Sequence, residues 1–314
     1  MAASPSHAGQ QRRSVLEVLG AAVLFGTTGT TASLAPAAAS SVAIGSARLV
    51  VGGFGLFATL PLLGGSRRSA ISLWRGRWGL TAGVMTALYQ LAFFAGIARA
   101  GVALATLVTI GSGPILVGLI SWALLRERPT ALWWLSTAVC IVGLTLLTLD
   151  GSGQAGVDAS GLGFALASGF GYAVYTVAAK RLMNQGVHAP EVMASAFSLG
   201  GLILLPVLLL SGPAWIASGQ GLAVALWLGL ATTTVAYFLF GRGLRVLPAG
   251  PVATLVLAEP LVATMLGVLV LGERLDLAGW AGAALVAAGL GLQGVASVRS
   301  RPGDEPNVVE AALA

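Results

Sequence analysis

Charged side chains are scarce in this sequence. Asp, Glu, Lys and Arg make up 9% of its 314 residues, whereas a soluble domain carries about 25%. So little charge cannot cover a water-facing surface, and a soluble globular fold is excluded. Cysteine occurs once, as Cys140 inside an apolar run, so no internal disulfide forms. The two histidines, His7 and His188, fall in expected loops and make no metal-ligand cluster. Lys180 is the only lysine and no G-x-x-x-x-G-K occurs, which excludes a P-loop and an ATPase domain within the chain. Basic stretches interleaved with aromatics are missing too, which argues against a nucleic-acid partner. No cofactor site, metal site or catalytic cluster is legible.

Apolar residues are abundant instead: 56% of the chain is hydrophobic, with a mean hydropathy of +0.89. The expected surroundings are a lipid bilayer, and the expected class is a polytopic membrane protein. A hydrocarbon core about 30 Å thick needs roughly 20 apolar residues per helix. Breaks in the pattern leave ten such segments, at 14–35, 42–63, 78–98, 103–125, 131–149, 161–182, 191–211, 221–241, 249–271 and 277–297. The runs are too long for barrel strands and lack their alternation, so the expected fold is all-α. Arg12-Arg13 before the first run mimics a signal peptide, but with so many spans following it reads as an uncleaved signal anchor.

Positive charge orients the helices. With the N-terminus cytoplasmic, every one of the 17 Lys and Arg residues except Arg48, Arg99 and Arg274 falls on the inner side. Both termini are therefore expected in the cytoplasm, for a multi-pass protein of a bacterial inner membrane.

The chain also repeats itself. At a shift of 146 residues Glu127-Arg128 meets Glu273-Arg274, Pro114 meets Pro260, Trp134 meets Trp280 and Arg99 meets Arg245. These residue types are rare here, so the matches carry weight. Each copy holds five spans. Five is odd, so the second copy enters the membrane from the other side, an inverted repeat of the kind secondary transporters use. The expected organisation is a tail at 1–13, a first repeat at 14–149, an external linker at 150–160, a second, inverted repeat at 161–297 and a cytoplasmic tail at 298–314. The first dozen residues and the tail from Arg299 read as disordered.

Pro114 precedes Glu127-Arg128, and Pro260 precedes Glu273-Arg274, by the same interval at the end of the fourth span of each copy. This pattern, with Ala258-Glu259-Pro260 and Leu271-Gly272-Glu273-Arg274, resembles the drug/metabolite transporter superfamily, EamA type, over about residues 14 to 297. Leu125-Arg126-Glu127 departs from it, since the family more often has Leu-Gly-Glu there. The resemblance implies two five-helix repeats forming a basket around a central cavity. Helices one, three, four, six, eight and nine would supply most of the lining. It also implies export; its aromatic amino-acid exporter branch, YddG-like, is the leading specific expectation.

Polar stripes mark candidate substrate-binding residues. Thr86, Tyr89, Gln90 and Phe93 share one face of the third span, and Ser168, Tyr172, Tyr175 and Thr176 one face of the sixth. Thr27 and Thr30 on the first, Thr109 on the fourth, and Thr233 and Tyr237 on the eighth complete the set. The eighth-span stripe is one residue out of phase with the third. Lipid offers these groups no partners, so they face protein or a water-filled cavity; the competing reading is that Ser and Thr bond their own helix and join helices together. Pro114 and Pro260 are candidate hinges, each freeing a carbonyl one turn back. Glu259 lies mid-span and reads as protonated, hydrogen-bonded to a neighbouring helix, or proton-coupling. Arg48 either snorkels outward or attracts a substrate carboxylate. Lys180 and Glu17 read as orientation charges at inner helix ends, and each Glu-Arg pair as the closure of a turn.

So few intramembrane cations disfavour phosphorylated substrates. Hydroxyls, Tyr and Gln suit a neutral or zwitterionic solute. The expected function is a secondary active or facilitated transporter exporting amino acids, aromatic ones included, or related small metabolites by alternating access. The alternatives are a family transporter of another solute, such as a drug or sugar metabolite, and a membrane-embedded lipid-modifying enzyme. The enzyme would need clustered His, Asp or Cys, so a non-enzyme is expected. A monomer suffices, and a homodimer through peripheral helices is compatible with the sequence.

Overall fold

The computed structural model describes residues 7–148, 158–270, 272 and 274–299. Most of the linker expected at 150–160, together with Leu271, Glu273 and the tail from 300, lies outside the described residues. Among the described residues ten helices are long and apolar enough to cross a membrane, and there is no strand. They are α1 (Ala8–Ser33), α2 (Ser41–Leu63), α3 (Arg77–Ala100), α4 (Ala103–Leu125), α5 (Ala131–Thr148), α6 (Ala159–Asn184), α7 (Ala189–Leu210), α8 (Gly219–Val246), α9 (Ala249–Val270) and α10 (Leu277–Val298). The chain is an all-α, multi-pass membrane protein.

Two boundaries differ from the sequence expectation, each for a local reason. Helix begins at His7, inside the stretch expected to be disordered. There Glu17 accepts from Arg13 at 3.1 Å and from Arg242 at 2.8 Å, which ties α1 to α8. Glu17 is thus an inter-helix link as well as a charge at a helix end. Helix α8 runs through Gly241, an expected break, because a Cβ there would lie 2.7 Å from Met193 Cγ: the glycine is a close-packing position. The helix stops at Leu247, extended at ψ 152° because Pro248 follows. On α6, Asp158 caps the helix by accepting from Ser160 N–H at 2.8 Å, and these hydrogen bonds from Ser160 hold its carboxyl below the usual carboxylate range.

The turns after α4 and α9 share a backbone feature. Arg126 stands at φ +63° and Gly272 at φ +71°, and the two are 146 residues apart. Helix packing follows the same relation. α3 packs on α6 as α1 packs on α8, α4 on α6 as α1 on α9, and α3 on α7 as α2 on α8. α2 packs on α7 and α5 on α10. Across the α5–α10 seam Cys140 Sγ donates to Val286 O at 3.7 Å, again a pair 146 residues apart. The backbones approach so closely that a Cβ on Gly143 would sit 2.7 Å from Gly282 O, and one on Gly282 2.6 Å from Gly143 O.

Glu127 does more than close a turn. Its Oε2 accepts from Ala249 N–H at 2.8 Å and so caps the start of α9 from the loop between α4 and α5.

Candidate functional site

A cavity of ≈ 110 Å³ lies between the helices, walled by α1, α2, α3, α4, α6, α8 and α9. α5, α7 and α10 contribute nothing to it. One end is shut by aromatic packing. Tyr237 and Phe197 lie 3.9 Å apart between ring centroids, Tyr175 stacks on Tyr89 at 5.8 Å, and Phe240 closes on Tyr237 at 5.8 Å. One turn further from the cavity, buried Lys180 donates to Leu244 O and Leu247 O, each at 2.9 Å. It joins the C-terminal turn of α8 to α6, so it is an inter-helix tie and not simply a marker of orientation. Toward the other end the helices part: no residue from Thr27 to Ser33, from Leu91 to Ala95, or from Leu261 to Leu266 is buried. The cavity opens toward the end of the bundle that carries Ser33, Ala100, Ala159 and Val270.

Two helices bordering the cavity are irregular. α9 breaks at Leu257, whose N–H turns back to Thr254 O at 3.0 Å. Pro260 follows and has no N–H to offer Val256 O, so the carbonyl loses its usual partner where Val256, Leu257 and Glu259 line the cavity. In α8, Trp227–Val235 forms a π-helix. Thr233 Oγ1 donates to Leu228 O at 3.0 Å and Thr234 Oγ1 to Gly229 O at 3.2 Å, each spanning five residues. A π segment carries extra residues per turn. That explains why the polar stripe of the eighth span runs out of phase with the third. It brings the Tyr237 hydroxyl to 3.2 Å from that of Tyr89.

Arg48, Tyr89, Gln90, Phe93, Thr109, Pro114, Ser168, Tyr172, Tyr237 and Glu259 come together on the cavity wall. Thr27, Thr30, Thr86, Tyr175, Thr176 and Thr233 lie off it, as does Pro260. The physical reasons are local. Thr27 donates to Leu24 O and accepts from Trp227 Nε1, and buried Thr86 donates to Ala82 O one turn back. Tyr175 and Thr176 are wholly buried behind the wall. Pro260 is buried beside the break in α9, whereas Pro114 sits inside an uninterrupted helix, so the two are not matching kinks. Sequence reasoning did not single out Phe25, Ile110, Ala253, Val256 and Leu257 as lining residues. As apolar side chains they carry no signal separating wall from core.

Arg48 and Glu259 are the charged side chains on the wall, both half-buried. Arg48 does not snorkel to the membrane surface. Its Nε donates to Thr233 Oγ1 and its Nη2 to Thr232 O, both at 3.3 Å, so it rests on the π segment. Glu259 accepts no hydrogen bond and makes no ion pair among the described residues, so of its three expected roles the bond to a neighbouring helix finds no partner there. The neutral polar residues each make one bond to backbone. Gln90 donates to Gly45 O, Thr109 to Ala165 O and Ser168 to Tyr89 O.

The sequence profile of the EamA-like transporter family matches residues 12–149 and again residues 159–293. The uncharacterized transporter YwfM of Bacillus subtilis is 38% identical over 276 residues, 88% of this chain and 91% of that protein. The threonine/homoserine exporter RhtA of Escherichia coli is 31% identical over 202 residues, 63% of each chain. A solved crystal structure shares the fold with a TM-score of 0.76, covering 91% of this chain and 98% of its own, at 21% identity.

Proposed function

Because the chain belongs to the EamA-like transporter family of the drug/metabolite transporter superfamily, we propose that it exports amino acids or related small metabolites across a bacterial inner membrane. The observation that carries this reading is the cavity itself. It lies among seven helices, is open at one end and shut at the other, and pairs aromatic walls with one cation and one anion. Such a lining suits a small solute with an apolar side chain and balanced charge. The relatives are named transporters, and one of them, RhtA, is named a threonine/homoserine exporter, which supports both the solute class and the direction.

The cycle is alternating access between two five-helix repeats, 14–149 and 161–297, inverted with respect to each other. Helix contacts that map onto one another when each label advances by five support this arrangement. With the termini cytoplasmic, the open end of the cavity faces outward. Pro114 and the break beside Pro260 are the hinges, and Glu259 is the group through which a proton gradient couples to transport. The test is counterflow in proteoliposomes across a panel of amino acids, L-threonine and L-phenylalanine among them. Saturable exchange is expected; a folded sample that exchanges none of them rules the reading out.

A further inference from the structure

The charged capacity of the cavity wall lies in two corners, with the Gln90 amide, bonded to Gly45 O, as a neutral polar group beside them. Arg48 has five N–H donors, of which one on Nε and one on Nη2 are engaged by Thr233 and Thr232. Its other N–H groups have no partner among the described residues. Both engaged contacts lie on the Nε–Nη2 edge of the guanidinium, which leaves the terminal Nη1–Nη2 edge for a carboxylate, a two-donor geometry for which Arg is suited.

The second corner is built from acceptors. The Glu259 carboxylate is unpaired among the described residues and lines the same cavity. Two lining residues also carry a backbone carbonyl without its usual helical donor. Pro114 deprives Ile110 O of its usual i+4 donor, and Pro260 does the same to Val256 O. Ile110 and Val256 both line the cavity and are 146 residues apart, so the repeat supplies the two carbonyls as a pair. The charges, by contrast, break the repeat: Arg48 meets Ala194 and Glu259 meets Gly113 at that shift. The Tyr89 and Tyr237 hydroxyls hold one another, and the Tyr172 hydroxyl is shut away from the cavity. Two unduplicated and mutually unbridged charges in one apolar-walled cavity cost free energy unless a ligand joins them.

We propose that Arg48 and Glu259 form a two-point dock for a free zwitterion. The guanidinium takes the α-carboxylate, while the Glu259 carboxylate and the Ile110 and Val256 carbonyls take the α-ammonium. The dock rests on the amino-acid reading above and sharpens it: the protein recognises the shared head of an amino acid, and the side chain meets the aromatic wall formed by Phe25, Phe93 and Tyr172.

The test is competition against counterflow of radiolabelled amino acid in proteoliposomes of the full chain. The competitors are L-threonine and L-phenylalanine, their amides, which lack the carboxylate, and their N-acetyl forms, which lack the ammonium. In the unsubstituted protein each modified form competes about tenfold more weakly than its parent, the loss expected for one charge-assisted contact. Arg48→Gln removes the discrimination against amides and leaves that against N-acetyl forms; Glu259→Gln does the reverse; Arg48→Lys restores the first. A purely structural role for either charge would lower exchange of all competitors alike. Exchange in which amides and N-acetyl forms compete within twofold of their parents overturns the dock and spares the transport reading. Absence of saturable exchange for every amino acid overturns both. The analogue comparison in the unsubstituted protein stands even if a variant fails to fold.

Discussion

Arg126 holds φ +63°, a backbone conformation that costs an L-residue about 1–2 kcal/mol. At the matching turn Gly272 takes φ +71° without that penalty. The sequence already showed the oddity, as Leu-Arg-Glu where the resembling family more often has Leu-Gly-Glu, but not the reason for it. Arg126→Gly relieves the strain, partly offset by the added freedom of the unfolded chain, so stability should rise by up to about 1 kcal/mol. A thermal melt in detergent checks this, and an unchanged or lower midpoint contradicts it. Lys180 leads to the opposite prediction. Its ammonium satisfies Leu244 O and Leu247 O at the end of α8. Lys180→Met keeps the stem but leaves those carbonyls without the cation, at a cost of about 2 kcal/mol; denaturant titration in micelles measures it. From the sequence Lys180 was simply a positive charge near a helix end. Which carbonyls it meets depends on α8, 64 residues and more along the chain. The same distance effect explains the threonines: Thr86 and Thr233 are polar either way, and only the packing decides whether they face a cavity or a neighbouring helix.

Helices α8 and α9 show how much of an element is readable in advance. Length and hydropathy placed both, yet neither is a regular α-helix. The phase slip in the eighth-span stripe was visible in the sequence, and the π segment at Trp227–Val235 is its cause. Deleting Ala231 inside that segment should remove the extra residue and leave the helix regular, so Tyr237 keeps its place beside Tyr89. Exchange by the shortened protein should stay within about twofold of the full chain's, because that contact is kept. A fall of about tenfold or more in a protein that still inserts and elutes as a single species, as for loss of a contact worth about 1.4 kcal/mol, would give the π turn a role of its own. In α4, Pro114→Ala returns a donor to Ile110 O inside an already continuous helix. The melting point should hold or rise while counterflow slows. Unchanged counterflow would reduce Pro114 to a packing feature. The break in α9 falls at Leu257, in the turn before Pro260, where the proline removes a donor.

For the bundle as a unit the orientation is the first thing to check. A phosphatase active only in the periplasm, fused after Ala314, should stay silent, and a cytoplasm-active reporter at the same place should be bright; the reverse pattern would invert the assignment of the open end. The chain's composition was enough to establish a polytopic helical membrane protein, because a sequence with 9% charge has no other way to satisfy its backbone and bury its side chains. Its self-similarity is what the proposed two five-span copies rest on, since rare Pro, Glu, Arg and Trp recur at one shift. The membership of the cavity wall was not legible in this way. Arg48 resting on Thr232 and Thr233, Glu259 left without a partner, and Ile110 with Val256 facing the same space are contacts between helices far apart in the chain. Periodicity tells which residues share a face, but which faces meet is decided by how ten helices close around one another, and that is information held in their packing rather than in any single span.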